Sequence, residues 1–313
     1  LVNFVNLGIN ATYKAGGGQI EQLRYFLKYF STIDPQINVT IYITKYNLYL
    51  LDNLENKDNI KIIISRLANF STLVRVIWEQ TLLPLLLKFH KIDVLFCPGN
   101  ISPILTSTKT VQWIGTIGPF WDEMYELEIP INKLQFKMNK MFMSKTAEKA
   151  DAVIFESKYT RDFFINLFNI KIEKSHVIHF GKDTYYFPKI ELDLRVMRNL
   201  ETPFILCVSH YYPYKNIERM LDAYAEVIKH TRKEIPLAIA GGVSDGKAFK
   251  NYYESIIRKI DLLDINKSVL PLGLVDRKGL RTLYSSCNFT IFPSPCENFA
   301  YTLVEAMLCG AAI

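Results

Sequence analysis

Two glutamates, Glu297 and Glu305, stand with seven residues between them in the stretch Pro293-Ser-Pro-Cys-Glu-Asn-Phe-Ala-Tyr-Thr-Leu-Val-Glu-Ala-Met307. The apolar run Asn288–Phe292 before them reads as a buried strand. Pro293 and Pro295 cannot donate ladder hydrogen bonds, so the strand is expected to end there. From about Ala300 the pattern becomes helical, with Leu303, Val304 and Met307 on one face and Gly310 as a stop. One carboxylate then lies in a loop beyond a strand, and the second lies inside the helix that follows. Backbone N–H groups from Asn298 to Tyr301, at the start of that helix, can meet an anion. A lone pair of this kind is also what an ordinary loop Glu and a solvated helical Glu look like.

A cation is available in the loop His210-Tyr-Tyr-Pro-Tyr-Lys-Asn216, which follows the buried strand Pro203–Ser209. Open α/β sheets bind ligands at the carboxyl ends of their strands, which favours a functional reading of Lys215 over a solvated one. Gly241-Gly242 closes the next strand, Pro236–Ala240. Near the front of the chain, Gly16-Gly17-Gly18 sits between a strand and a helix that carries Ile20, Leu23, Phe26, Leu27 and Phe30. Glycine lets the backbone come close to a phosphate, and the helix start favours negative charge. The spacing is neither G-x-G-x-x-G nor that of a P-loop, so neither NAD nor ATP fits; a flexible turn is the commoner meaning of such a stretch.

The Pro-Ser…Glu297-Asn-Phe-Ala…Glu305-Ala-Met frame resembles the Glu-x7-Glu motif of the retaining nucleotide-sugar glycosyltransferases of family 4, which have the GT-B fold. The resemblance covers nearly the whole chain, most closely from Ile205 onward. It implies that Glu297 contacts the donor sugar and that Glu305 binds the ribose hydroxyls. It implies that the Asn298, Phe299 and Ala300 backbone approaches the diphosphate, although the family usually has Gly at positions 298 and 300. Lys215-Asn216 matches a Lys-Asn pair that meets the diphosphate, with His210 in place of the usual Arg and Ser209 beside it. Gly241 and Gly242 would pass close to the nucleotide, and Gly16, Gly17 and Gly18 would approach the diphosphate and the acceptor. Arg75, Trp78-Glu-Gln80, Leu83-Pro84, Asp93-Val-Leu95 and Pro98-Gly-Asn100 resemble the middle of the family's first domain. After the strand Val111–Ile117 many relatives carry His-Asp or Arg-Asn; here Thr116 is the nearest polar side chain.

The elements that would position these residues alternate strand and helix throughout. That pattern argues α/β architecture: two Rossmann-like doubly wound domains, residues 1–182 and 183–313, facing across a cleft, with the second incomplete at its end. The chain opens on Leu1 and closes on Ile313 in what reads as another strand, so a fragment is expected. Leu73–Lys91 reads as a helical region kinked or split at Pro84. Lys133–Lys149 is a helix both basic and apolar; a core-packing helix with a solvated lysine face is the preferred reading, and a membrane-surface helix the other. His176 and His179 have no third ligand near them in sequence, so packing is a better account than a metal.

The 313 residues carry a net charge of +6, which suits anionic small ligands or an acidic membrane surface. No nucleic-acid-binding motif is present. The five cysteines have no paired short spacing and read as reduced packing residues. No apolar run reaches about 18 residues, and no secretory signal is visible. A cytoplasmic protein, at most peripheral to the membrane, is expected.

Together these readings predict transfer of one hexose from a nucleotide-diphosphate sugar to a glycan or lipid-linked acceptor. No Asp-x-Asp spacing occurs in the sequence, and the resemblance implies catalysis without a metal or other cofactor. A nucleotide-sugar 2-epimerase and a non-catalytic sugar-nucleotide binding protein are the alternatives.

Overall fold

A computed structural model describes residues 5–13, 18–30, 37–51, 58–122, 130–179, 181, 185–188, 193–197, 200 and 203–313. The chain forms two compact units. The first comprises Leu1–Phe120 and Gln135–Phe180; the second comprises Trp121–Leu134 and Gly181–Ile313. Nothing in the sequence signals that Trp121–Leu134 groups with the second unit. Gly16 and Gly17 lie outside the described residues.

The first unit holds a seven-stranded sheet. Its strands are β1 (Val5–Ala11), β2 (Ile37–Ile43), β3 (Ile60–Ile64), β4 (Val94–Cys97), β5 (Lys109–Ile114), β6 (Ala152–Phe155) and β7 (Ser175–Val177). Their order is β3-β2-β1-β4-β5-β6-β7, and every pairing is parallel. A parallel sheet must be covered on both faces, and β-branched runs such as Ile60-Lys-Ile-Ile-Ile64 supply the apolar surface. On one face Leu23 and Leu27 of α1 (Gly18–Phe30) pack with Ile9, Val39, Ile41 and Phe96. On the other, Trp78, Leu83 and Leu87 of α2 (Thr72–Phe89) pack with Tyr42, Leu95 and Cys97.

Of the kink or split expected at Pro84, the split does not occur: α2 is one continuous helix through Pro84. Proline removes the bond to the carbonyl of Gln80 and costs roughly 3 kcal/mol in a helix interior. Burial of Trp78, Leu83 and Leu87 on either side of it offsets that cost. Ser71 caps the start, its Oγ accepting from the Val74 N–H at 3.2 Å.

Helix α3 (Pro130–Lys149) follows the core-packing reading over its described side chains. Met143, Thr146 and Ala147 are buried, while Lys137, Lys140, Lys145 and Lys149 are exposed. Ser157 caps α4 (Lys158–Leu167), as its position after a strand implies. His176 lies in β7, and His179 Nδ1 lies 2.7 Å from the Glu156 carbonyl. Among the described residues no three His, Cys, Asp or Glu side chains gather as a metal site.

The second unit holds β8 (Ile205–Val208), β9 (Leu237–Ala240), β10 (Val269–Gly273) and β11 (Phe289–Thr290), all parallel in the order β10-β9-β8-β11. Side chains of β8 alternate between two cores. Ile205 and Cys207 face the cluster built on α6 (Ile217–Thr231) and α7 (Lys247–Leu262); α5 (Leu194–Met197) is a single turn before this sheet. Leu206 and Val208 face the cluster built on α8 (Arg277–Ser286) and α9 (Tyr301–Leu308).

Strand β11 is shorter than the expected Asn288–Phe292. Its ladder is nonetheless extended by Asn288 N to Phe204 O and Ile291 N to Leu206 O, both 2.8 Å, before the prolines end it. On its far side Phe289 bridges to Ala312, and the Thr290 N–H donates to the Ala312 carbonyl at 2.8 Å. Gly310, at φ +82°, ends α9 in the left-handed region where glycine is unstrained. All five cysteines are free thiols, four of them buried.

Candidate functional site

The carboxyl ends of β8, β9 and β11 lead into most of the residues singled out in the sequence. Strand β8 runs into Ser209-His210 and the loop to Lys215. Its first step is tied to its neighbour by Ser209 N to Ala240 O, 2.9 Å. Strand β9 runs into Gly241-Gly242, tied in turn to β10 by Gly241 N to Gly273 O, 2.8 Å. Gly241 is required by close approach: a Cβ there would stand 1.8 Å from the Ser209 carbonyl oxygen. At Gly242 a Cβ would meet the Leu274 and His210 side chains at 3.4–3.5 Å, an ordinary contact.

His210 turns back onto the loop after β9, its Nδ1 3.1 Å from the Gly242 carbonyl. Tyr212 stacks on Tyr214 with ring centroids 5.5 Å apart, and its hydroxyl lies 2.6 Å from Ser244 Oγ. Asn216 adopts a left-handed conformation (φ 59°) that Asn tolerates, and this turns the chain into α6. Its Nδ2 donates to the Pro293 carbonyl at 3.3 Å, joining the β8 loop to the β11 loop.

The same two loops are joined by charge. Lys215 Nζ donates to Glu297 Oε1 in a half-buried ion pair, their side chains 17% and 26% exposed. The ammonium also lies 5.1 Å from the Tyr214 ring centroid and 5.8 Å from that of Phe292. Under it, burial pushes the Cys207 thiol up to about 12, against the opposing pull of Lys215. Cys207 is therefore a packing thiol at neutral pH, not a thiolate nucleophile.

After Glu297, both side-chain amide atoms of Asn298 are enclosed and have no hydrogen-bond partner. A buried amide left unsatisfied costs about 1–3 kcal/mol, so this one is poised to accept a partner. Phe299 packs edge-on against Tyr301, centroids 5.9 Å apart. Ala300 precedes α9, whose start no side chain caps. Glu305 is held in a contact of its own: the Tyr284 hydroxyl donates to Glu305 Oε2 at 3.2 Å. Burial first, then the Glu305 charge, raises both the Tyr284 and Tyr186 hydroxyls well above the usual tyrosine range. Both therefore remain protonated donors.

The structure thus brings Lys215 to Glu297, and Ser209 and His210 to Gly241 and Gly242. In the first unit, Gly18 opens α1. Thr116 there accepts from the Gly118 N–H at 3.2 Å, while Asn100 Oδ1 accepts from the Gly115 N–H at 2.7 Å. Tyr284, Tyr186, Tyr212 and the Asn216–Pro293 bond were not anticipated from the sequence. Each is a long-range contact without periodic signature; only an Asn directly before a helix hinted at a left-handed turn.

Residues 192–313 match the family described as Glycosyl transferases group 1. Over 187 residues, 59% of this chain, the sequence is 27% identical to the serotype-specific mannosyltransferase WbdA of Escherichia coli, and the match covers 22% of that protein. Over 176 residues, 55% of this chain, it is 22% identical to the O-antigen chain mannosyltransferase B of Escherichia coli, covering 44% of it. The chain therefore spans less than half the length of these curated relatives. Among solved structures, Anabaena HepE in complex with UDP and glucose superposes with a TM-score of 0.68 at 18% identity, over 98% of this chain and 79% of that one. Sucrose-phosphate synthase from Thermosynechococcus elongatus superposes with a TM-score of 0.71 at 17% identity, over 98% and 80%. At such identities the superpositions show fold and not substrate. The chain has the GT-B fold, and its residues 192–313 match the family model of glycosyl transferases group 1.

Proposed function

We propose that this protein transfers a hexose from a nucleotide-diphosphate sugar to a hydroxyl of a glycan or lipid-linked acceptor, with retention of anomeric configuration and without a metal. The observation that carries the reading is the Lys215–Glu297 pair at the strand ends of the second unit. Departure of a nucleoside diphosphate builds negative charge on its phosphates, and a preorganised cation must meet it. Lys215 is that cation, held in place by the carboxylate that also accepts hydrogen bonds from sugar hydroxyls. Glu305, oriented by Tyr284, takes the ribose diol. The unsatisfied amide of Asn298 supplies a side-chain contact to the donor where the family usually has glycine. Mannose is the hexose favoured, because two of the similar proteins are named mannosyltransferases.

The experiment is turnover with GDP-mannose, UDP-glucose and UDP-N-acetylglucosamine against sugar acceptors, with and without a chelator. Product stereochemistry is read by proton NMR. A product that keeps the donor's anomeric configuration, formed at the same rate with chelator and lost in Lys215→Ala, supports the reading. An inverted product, or epimerised donor without transfer, would sink it.

A further inference from the structure

The loop after β8 carries Tyr211, Tyr212 and Tyr214, and the structure puts them in different surroundings. Tyr211 is 1% exposed and belongs to the core against α6 and α7. Tyr212 and Tyr214 stay half-buried on the loop surface. The turn Pro213–Lys215, closed by Lys215 N to Tyr212 O at 2.9 Å, lays the two rings within 8° of parallel, their centroids 5.5 Å apart. Tyr212 is in turn fixed from the loop after β9. Its hydroxyl lies 2.6 Å from Ser244 Oγ, and Phe249 of α7 stands edge-on to its ring at 5.4 Å. On the other side of this stack is Lys215, whose Nζ lies 5.1 Å from the Tyr214 centroid and 5.8 Å from that of Phe292. A run of contacts thus leads from Ser244 through Tyr212 and Tyr214 to the ammonium that Glu297 holds.

A lysine stem is long and flexible, so holding its charge in one place costs conformational entropy. The Glu297 carboxylate holds it, but it also neutralises it, and in the proposed reaction the same carboxylate takes sugar hydroxyls. An aromatic face attracts an ammonium through its quadrupole and carries no net charge. It can fix the cation while leaving its charge for a phosphate. We infer that Tyr214 is a positioning residue for Lys215, and that Tyr212, braced by Ser244, keeps Tyr214 in its place. The loop after β9 thereby sets the ammonium of the loop after β8 through two rings. Packing alone is a poorer account of the stack, since both rings are partly open to solvent while the neighbouring Tyr211 is covered. The inference rests on the donor-site reading, in which Lys215 meets the departing diphosphate, and adds to it the side chains that keep Lys215 there.

The test is a double-mutant cycle on donor turnover by the full chain, with Tyr214→Leu, Tyr214→Phe, Lys215→Ala and Tyr214→Leu combined with Lys215→Ala. Tyr214→Leu is expected to lower kcat about tenfold, the scale of one partly desolvated cation–π contact, with the donor KM within about twofold of wild type. Tyr214→Phe keeps the ring face and is expected to keep the rate. Once Lys215 is alanine, Tyr214→Leu should cost nothing more. A Tyr214→Leu rate equal to wild type overturns the inference, and so does an equal loss with and without Lys215, which would make Tyr214 a packing residue. In both of those outcomes a Lys215→Ala variant that has lost turnover leaves the donor-site reading standing. A Lys215→Ala variant as fast as wild type removes that reading, and this inference with it. Should Tyr214→Leu fail to fold, Tyr212→Phe carries the test, because it keeps both rings and cuts only the bond to Ser244. Its expected loss is about threefold in kcat, on the scale of one neutral hydrogen bond, and none in Lys215→Ala; a rate equal to wild type there overturns the inference.

Discussion

Lys215 donates its ammonium to the Glu297 carboxylate across 82 positions of sequence, tying the loop after β8 to the loop after β11. The pair stands beyond the ends of two neighbouring strands, β8 and β11, and the chain provides no second lysine or arginine in the loop 209–216. On the proposed reading, the charge of a departing diphosphate would fall on this side chain. Lys215→Ala is expected to lower donor turnover by about 10²–10³, the size of one lost electrostatic donor, with Lys215→Arg recovering part of it. Steady-state kinetics check this; turnover equal to wild type would remove Lys215 from the chemistry.

Tyr284 acts through Glu305. Its hydroxyl donates to Glu305 Oε2, and burial keeps it protonated. Tyr284→Phe removes that bond while keeping the ring in its core. Nucleotide affinity is expected to fall about tenfold, the scale of one hydrogen bond to a charged group. Titration calorimetry with the nucleoside diphosphate reads it, and a fall in stability with unchanged affinity would confine Tyr284 to packing.

The two adjacent glycines after β9 are predicted to differ sharply. Gly241→Ala drives a methyl into the Ser209 backbone carbonyl and is expected to destabilise the second unit by more than about 3 kcal/mol, beyond ordinary overpacking. Gly242→Ala meets only side chains at contact distance and is expected to fold with a thermal midpoint near wild type. Equal midpoints for the two variants would contradict the tight approach of these loops.

His90 makes the first unit sensitive to acid. Burial, and after it the Lys61 charge, hold its pKa below the ordinary histidine value, and its Nδ1 lies 2.9 Å from the Tyr42 hydroxyl. As pH falls through about 6.5 the unfolded chain takes up this proton before the native state does, so stability present above that pH declines below it. Relative to His90→Gln, the wild-type thermal midpoint should lose ground between about pH 7.5 and about pH 5.5. A difference that stays constant across that interval would acquit His90.

The strands were legible because parallel sheets bury both faces and so write continuous apolar runs: Ile60–Ile64 and Val269–Gly273 occur as the sequence implies. Pro84 does not split α2, because local propensity is outweighed by Trp78, Leu83 and Leu87 on the sheet. In Lys133–Lys149 the preferred core-packing reading is supported by the burial of Met143, Thr146 and Ala147. Glu297, Glu305 and Lys215 were singled out through the frame around them; that Lys215 pairs with Glu297 while Tyr284 holds Glu305 is a matter of three-dimensional proximity that spacing does not encode.

Each strand of the second sheet is at most five residues long, and β8 and β9 are buried along their whole length, while the loops that follow carry the polar side chains discussed above. Scaffold and recognition are thereby written in separate parts of the chain. Segments 210–216, 243–246 and 294–300 are tied to one another by Lys215–Glu297, Asn216–Pro293 and Tyr212–Ser244, so they would have to change as a set, while both cores and the Ser209–Gly241 fit between them stand apart from them.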